Sequence, residues 1–173
     1  MGLLTREQAC LAAGIGAGYI LCRILHRRAL RAATVVAEVP DRLFKLATTA
    51  ELAAFEKAGK IESALDSKDG FVHLSDRTSP PNVAKLFFAG ARDLHLIELR
   101  ASSLVGHVQW FMGPVGTAPP VSTLASGAAT TVHYDHSCGC VHVYGASVGT
   151  AGIVRSELLK LDAKGCHVLP KWL

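Results

Sequence analysis

Two short helical patterns lie near the start of the main part of this 173-residue chain, and after them come only strand-like segments. That order limits the fold more than any other feature. Leu43-Phe44-Lys45-Leu46-Ala47 reads as a first strand. Thr48 and Glu51 follow with the spacing of a capping box, Leu52, Phe55 and Ala58 mark an apolar helical face, and Gly59 is a stop signal. Asp69-Gly70 leads into a second strand, Phe71-Val72-His73-Leu74. Ser79-Pro80-Pro81 opens a second helix with Val83, Leu86 and Phe87 on its apolar face, and Gly90 closes it. Leu94–Leu99, His107–Phe111, Val141–Tyr144 and Ile153–Leu158 then read as strands without intervening helices. Antiparallel pairing is expected, and with it an α+β fold in place of a doubly wound one. The glycines of Gly14-Ile15-Gly16-Ala17-Gly18 have no strand before them, so they form no dinucleotide fingerprint.

The expected organisation is an apolar, arginine-flanked leader at 1–41, a domain at 42–162 and a tail at 163–173. Between Met112 and Thr131 the chain is rich in Gly, Pro, Ala, Ser and Thr, which suggests a flexible loop insertion at about 112–135. Half the residues are apolar, enough for a real core. The net charge of +4 hints at nucleic acid, but Arg6, Arg23, Arg27, Arg28 and Arg31 belong to the leader and the remainder is close to neutral. A nucleic-acid partner is therefore not favoured for the domain. The five cysteines, Cys10, Cys22, Cys138, Cys140 and Cys166, are odd in number and lack disulfide-framework spacing, which fits a reducing, intracellular compartment.

Ala9 to Cys22 carries no charge. A helix from Ala9 to Leu25 is about 25 Å long, against a hydrocarbon core of ~30 Å. Gly14 and Gly18 form a small-xxx-small face. Three readings compete: a short membrane anchor at 9–25 with the domain facing the cytoplasm, a mitochondrial targeting segment, and a leader helix packed on the domain. Met1-Gly2 is no myristoylation signal, because Arg6 stands where Ser or Thr is required.

Chemistry concentrates in two motifs, Gly70-Phe71-Val72-His73-Leu74-Ser75 and Val141-His142-Val143-Tyr144-Gly145. Strand alternation puts Phe71, His73 and Ser75 on one face, and Cys140, His142 and Tyr144 on one face. The bland reading of His73 is a core histidine bonded to a backbone carbonyl. The run His133-x-x-His136-x-Cys138-x-Cys140-x-His142 tempts a zinc reading. Alternate residues of one strand point nearly the same way and cannot close a tetrahedron, so no metal is expected and the run reads as a polar loop edge followed by a strand. No Gly-x-Ser-x-Gly elbow supports a Ser75 nucleophile.

Leu43-Phe44-Lys45-Leu46, Asp69-Gly70-Phe71-Val72-His73-Leu74-Ser75, Phe87-Phe88-Ala89-Gly90, Asp93–Leu99, Trp110 and Val141-His142-Val143-Tyr144-Gly145 together resemble the family called domain of unknown function 952. The resemblance spans about 120 residues and omits the leader. That family is similar in fold to the ADP-ribosyltransferases, which include RNA 2′-phosphotransferases. The resemblance implies a split, mostly antiparallel β core with two or three flanking helices. It also implies NAD or a related nucleotide in the cleft, with His73 and His142 as catalytic candidates. Lys45, Ser75, Trp110 and Tyr144 become candidates for ligand binding. Lys45 stands where the family often has a histidine, and Phe111 where an acid often follows the tryptophan. An ADP-ribosyl- or phosphotransferase-type enzyme and an inactive nucleotide-binding module tethered to a membrane are both open on these residues.

Overall fold

The computed structural model describes residues 38–114, 130–145 and 147–173. The capping box forms as the sequence implies. The Thr48 hydroxyl accepts from the Glu51 N–H, the Glu51 side chain takes the Thr48 N–H, and α1 runs from Thr49 to Ala58. Gly59 ends it with φ of 68°, a left-handed conformation that a side chain would strain. A second capping box, Ser63 with Asp66, starts the short helix α2 (Ala64–Asp69). The sequence reading had no element there. Helix α3 covers Pro80–Phe87, with Pro at its first position. Ser79 is its N-cap but makes no side-chain capping bond, and Phe88, not Gly90, is the C-cap.

Strands β1 (Arg42–Thr48), β2 (Val72–Ser75), β3 (Leu94–Arg100), β4 (Val108–Met112), β5 (Thr130–Asp135), β6 (Cys140–Tyr144) and β7 (Ile153–Leu158) form one sheet, ordered β4-β5-β6-β2-β1-β3-β7. Only β4 and β5 run parallel; the other neighbours are antiparallel. The fold is α+β, with a large, mostly antiparallel sheet and few helices. Strands β8 (Lys160–Leu161) and β9 (His167–Val168) make a separate pair.

The expected loop insertion needs correction at its far end. Residues 130–135 are a strand, buried along its whole length and paired on both sides. Short β-branched and aromatic residues there, Thr130-Thr131-Val132-His133-Tyr134, suit a pleated buried surface. The sequence reading took His133 for a loop edge. Residues 115–129 lie outside the described residues, as does the leader at 1–37 with its membrane and targeting readings. Among the described residues no helix is long and apolar enough to cross a membrane.

The β core is a single sheet, but its middle is narrow. β1 pairs with β3 over seven positions, from Arg42↔Arg100 to Thr48↔Leu94. It meets β2 at one position only, Phe44↔Ser75. Each face carries its own core. Leu43, Val72, Leu74, Val132 and Val141 pack with Phe55 of α1 on one side. Phe44, Leu94, Leu96, Ala84 of α3 and Leu159 pack on the other. Burying side chains of this size contributes roughly 1.5–3 kcal/mol each. The segment set apart as a tail, 163–173, joins the second core through Leu169, Trp172 and Leu173.

Candidate functional site

The narrow junction between β1 and β2 is where the candidate residues gather. Two diverging strands leave backbone groups without ladder partners, and unpaired buried groups are costly. At His73 both are taken by side chains. Its N–H donates to Asp66 Oδ1 at 2.9 Å, and its carbonyl accepts from Lys45 Nζ at 3.1 Å. Lys45 Nζ also donates to Asp66 Oδ2 at 2.6 Å, and the Ser63 N–H donates to the same oxygen at 2.7 Å. The Lys45–Asp66 pair is buried, with relative exposures of 6% and 2%. It stands in for the β1 ladder at this position.

Asp66 then reaches the His73 ring. His73 Nδ1 lies 2.8 Å from Asp66 Oδ1. Burial pushes the Asp66 carboxyl up, but the His73 hydrogen bond and the Lys45 charge outweigh it and hold the group well below the usual carboxylate range. The carboxylate is thus ionised and acceptor-only, so Nδ1 must carry the proton. The other ring nitrogen, Nε2, lies 3.5 Å from Asp69 Oδ2. Burial lowers the Lys45 ammonium, with Asp66 opposing the shift.

Cross-strand registry sets out a row of four rings on one face: Phe111, His133, His142 and His73, on β4, β5, β6 and β2. His73 and His142 have ring centroids 5.2 Å apart, and His142 and His133 are 6.3 Å apart. Phe71 covers the first two, at 4.5 Å from His73 and 4.4 Å from His142. Burial first, then the neighbouring His73 and His133, push His142 down to about 4. It is a neutral imidazole at physiological pH. His133 is buried with Nε2 3.1 Å from the Gly113 carbonyl, and the Phe111 ring lies 5.0 Å from it. Phe111 therefore places a phenyl ring in this row.

A cleft of about 490 Å³ opens against this face. Lys45, His73, Ser75, Cys140 and His142 contribute its polar side. Leu65 of α2 and Val83, Phe87 and Phe88 of the α3 region form the apolar side. Of the six candidates from the sequence, Lys45, His73, Ser75 and His142 come together here. The Ser75 hydroxyl is buried and donates to the Phe44 carbonyl at 3.4 Å. Tyr144 does not line the cleft; its ring lies 4.9 Å from Phe71, and burial pushes its phenol up. Trp110 does not join them. It packs against the first core, edge-on to Tyr134 at 6.3 Å. The Tyr134 hydroxyl donates to Asp76 at 2.8 Å, and burial with that bond pushes the phenol up to about 12.

Sequence reasoning missed Asp66 and His133. The Ser63-x-x-Asp66 spacing was the available signal for Asp66, since it is a capping box. Nothing local marks that acid as the partner of His73. Among the described residues no group of three or more His, Cys, Asp or Glu is arranged to hold a metal ion.

A family model described as "protein of unknown function (DUF952)" matches residues 46–156. No curated protein matches the chain. The chain is similar to the X-ray structure of protein CC0527 from Caulobacter crescentus, with a TM-score of 0.52 and 22% identity over 73% of this chain and 93% of that one. A double mutant of the same bacterial protein gives a TM-score of 0.52 and 23% identity over the same shares. At such identities the likeness concerns the fold.

Proposed function

The chain belongs to the DUF952 family, and on that premise we propose that its cleft binds the nucleoside part of NAD or a related nucleotide, with His73 as the working base. One observation carries the reading: Asp66 orients the His73 ring through Nδ1 at the wall of a cleft of about 490 Å³ with ring-sized apolar walls. A carboxylate that fixes the imidazole tautomer is the usual arrangement for a histidine that accepts or holds a proton. A ribose hydroxyl entering the cleft meets the His73 ring. His142, kept neutral by burial, offers a hydrogen bond without a charge. The narrow β1–β2 junction is in keeping with the split core that the sequence resemblance implies. The reaction in this reading is of the ADP-ribosyl- or phosphotransferase type, and its electrostatic and positional terms come from these side chains.

The fit is partial. The walls suit a ring and a sugar, whereas Lys45, the only Lys or Arg lining the cleft among the described residues, is already paired with Asp66. Phe111 beside His133 favours a second reading, a nucleotide-binding module without turnover, because a phenyl ring stands where the resemblance implies an acid after the tryptophan. In that reading the leader at 9–25 serves as the tether.

NAD added to the full chain is expected to raise its melting temperature, and His73→Ala to remove the shift. Nicotinamide release separates the two readings: the enzyme liberates it and the module does not. An unshifted melting temperature with both NAD and ADP-ribose removes the nucleotide reading.

A further inference from the structure

The cleft has an apolar mouth and a charge-balanced floor, and together these select a ligand class. Leu65 and Phe87 are 54% and 75% exposed at its rim, on two different helices. Large apolar side chains this open to water are favourable places for a ring to land. At the floor, the charge of Lys45 is matched by Asp66 at 2.6 Å. The other charged lining residue, Glu51, is an acid whose carboxylate accepts from the Thr48 N–H and hydroxyl. No arginine lines the cleft among the described residues. A phosphate or carboxylate entering here would be desolvated next to two carboxylates, with no free Lys or Arg among the described lining residues. A neutral oxygen meets no such penalty: Lys45 Nζ has a third proton beyond its two bonds, and His73 and His142 add ring nitrogens.

We infer that the cleft takes an uncharged, ring-bearing group with a hydroxyl or carbonyl, its ring against Leu65, Phe87 and Phe88, and binds the same molecule more weakly when it carries an anionic group, so that of NAD only the nucleoside part enters it. This rests on the cleft being a ligand site, as proposed above, and narrows what that site accepts.

The test uses probe pairs that differ by one anionic group, adenosine with adenosine monophosphate and indole-3-ethanol with indole-3-acetate. Each is titrated calorimetrically into the full chain. The neutral member of each pair is expected to bind at least tenfold more tightly. Leu65→Arg and Phe87→Arg, both at exposed positions that tolerate the change, put a cation at the mouth and are expected to reverse the preference. Equal or tighter binding of the anionic members by the unmodified protein overturns the inference, and so does the absence of binding by either neutral probe up to millimolar concentration. Failure of the transferase reading looks different. Neutral probes that bind while NAD is never cleaved leave the ligand class standing. His73-dependent cleavage of NAD with no discrimination between pair members leaves the function standing and removes the ligand class.

Discussion

The Asp66 carboxylate accepts four hydrogen bonds, from the Lys45 ammonium, the Ser63 and His73 backbone N–H groups and the His73 ring. Such a site is costly to break from one side. Asp66→Asn leaves the Lys45 charge buried without its partner and sets an amide N–H₂ against donors, so urea denaturation should show a loss of about 3–5 kcal/mol. The joint change Lys45→Met with Asp66→Leu removes both charges and should cost clearly less than the two single losses added together. The double variant keeps a folded sheet but leaves His73 without its orienting acid, so any NAD cleavage is lost with it. Acid acts on the cleft residues in two steps. His142 titrates near 4 in the folded protein and near 6.5 when unfolded, so the unfolded chain takes its proton first as pH falls. Stability from this residue is full above about 6.5 and is lost as the pH falls to about 4. Asp66 is held below its ordinary value, so its contribution is full above about 4 and is lost below that. His142→Gln should therefore flatten the stability curve between pH 6.5 and 4 and leave the steep loss below pH 4 in place. An unchanged slope in the upper range would sink the assignment.

At the level of elements, the turn between β5 and β6 shows how tightly the site's strands are seated. Gly139 has φ of 71°, and a Cβ there would run into the Asp76 carboxylate and the Thr78 hydroxyl. Its carbonyl accepts from the Asp76 N–H at 2.8 Å. Gly139→Ala combines backbone strain with a steric clash and should lower stability by roughly 2 kcal/mol or more, read from the urea midpoint. The same kind of local rule explains what could be read from the chain beforehand. The Thr48–Glu51 box, the Gly59 stop, the apolar runs of β1 and β3 and the alternation of β6 depend on neighbours within a few residues, and each is legible. Helix α2 has its capping box but only six residues, too few for an apolar face to repeat. Strand β5 pairs in parallel with β4, and a parallel partner must come from across a long connection, so its place beside Phe111 had no local signature. The candidate site was legible to the same degree. His73, Ser75 and His142 announce themselves by alternation within strong strands. Lys45 was read as a ligand for ribose or phosphate, yet its ammonium is held by Asp66 across 21 residues. Trp110 was grouped with them by family pattern, but strand parity sends it to the other face.

Across the whole molecule, a seven-stranded sheet joined by one β1–β2 pair raises the question of what makes its halves unfold together. β4, β5, β6 and β2 carry the histidine row, while β1, β3 and β7 carry the Glu98 cluster. In that cluster Arg42 and Arg155 bond the two oxygens of buried Glu98 at 2.6 and 2.7 Å. Arg155 also lies over the Trp172 ring, whose N–H donates to Glu157 at 2.7 Å. Hydrogen bonding alone would let the halves part. The first core does not, because Leu43, Ile97 and Leu99 of one half pack in the same cluster as Val72, Val132 and Val141 of the other. A shared apolar core makes opening either half expose the surface of both, which favours a single transition. The two tryptophans report on opposite halves. Trp110 is on β4, and Trp172 packs with Phe44 of β1 at 6.4 Å between centroids. Single-tryptophan variants, Trp110→Phe and Trp172→Phe, should each lose fluorescence at the same urea concentration as the far-ultraviolet circular dichroism of that variant. A Trp110 signal that melts clearly before its own dichroism would mean that the Lys45–Asp66 junction is a true hinge line. In that case Asp66→Asn, which weakens the junction, should widen the gap between the two signals.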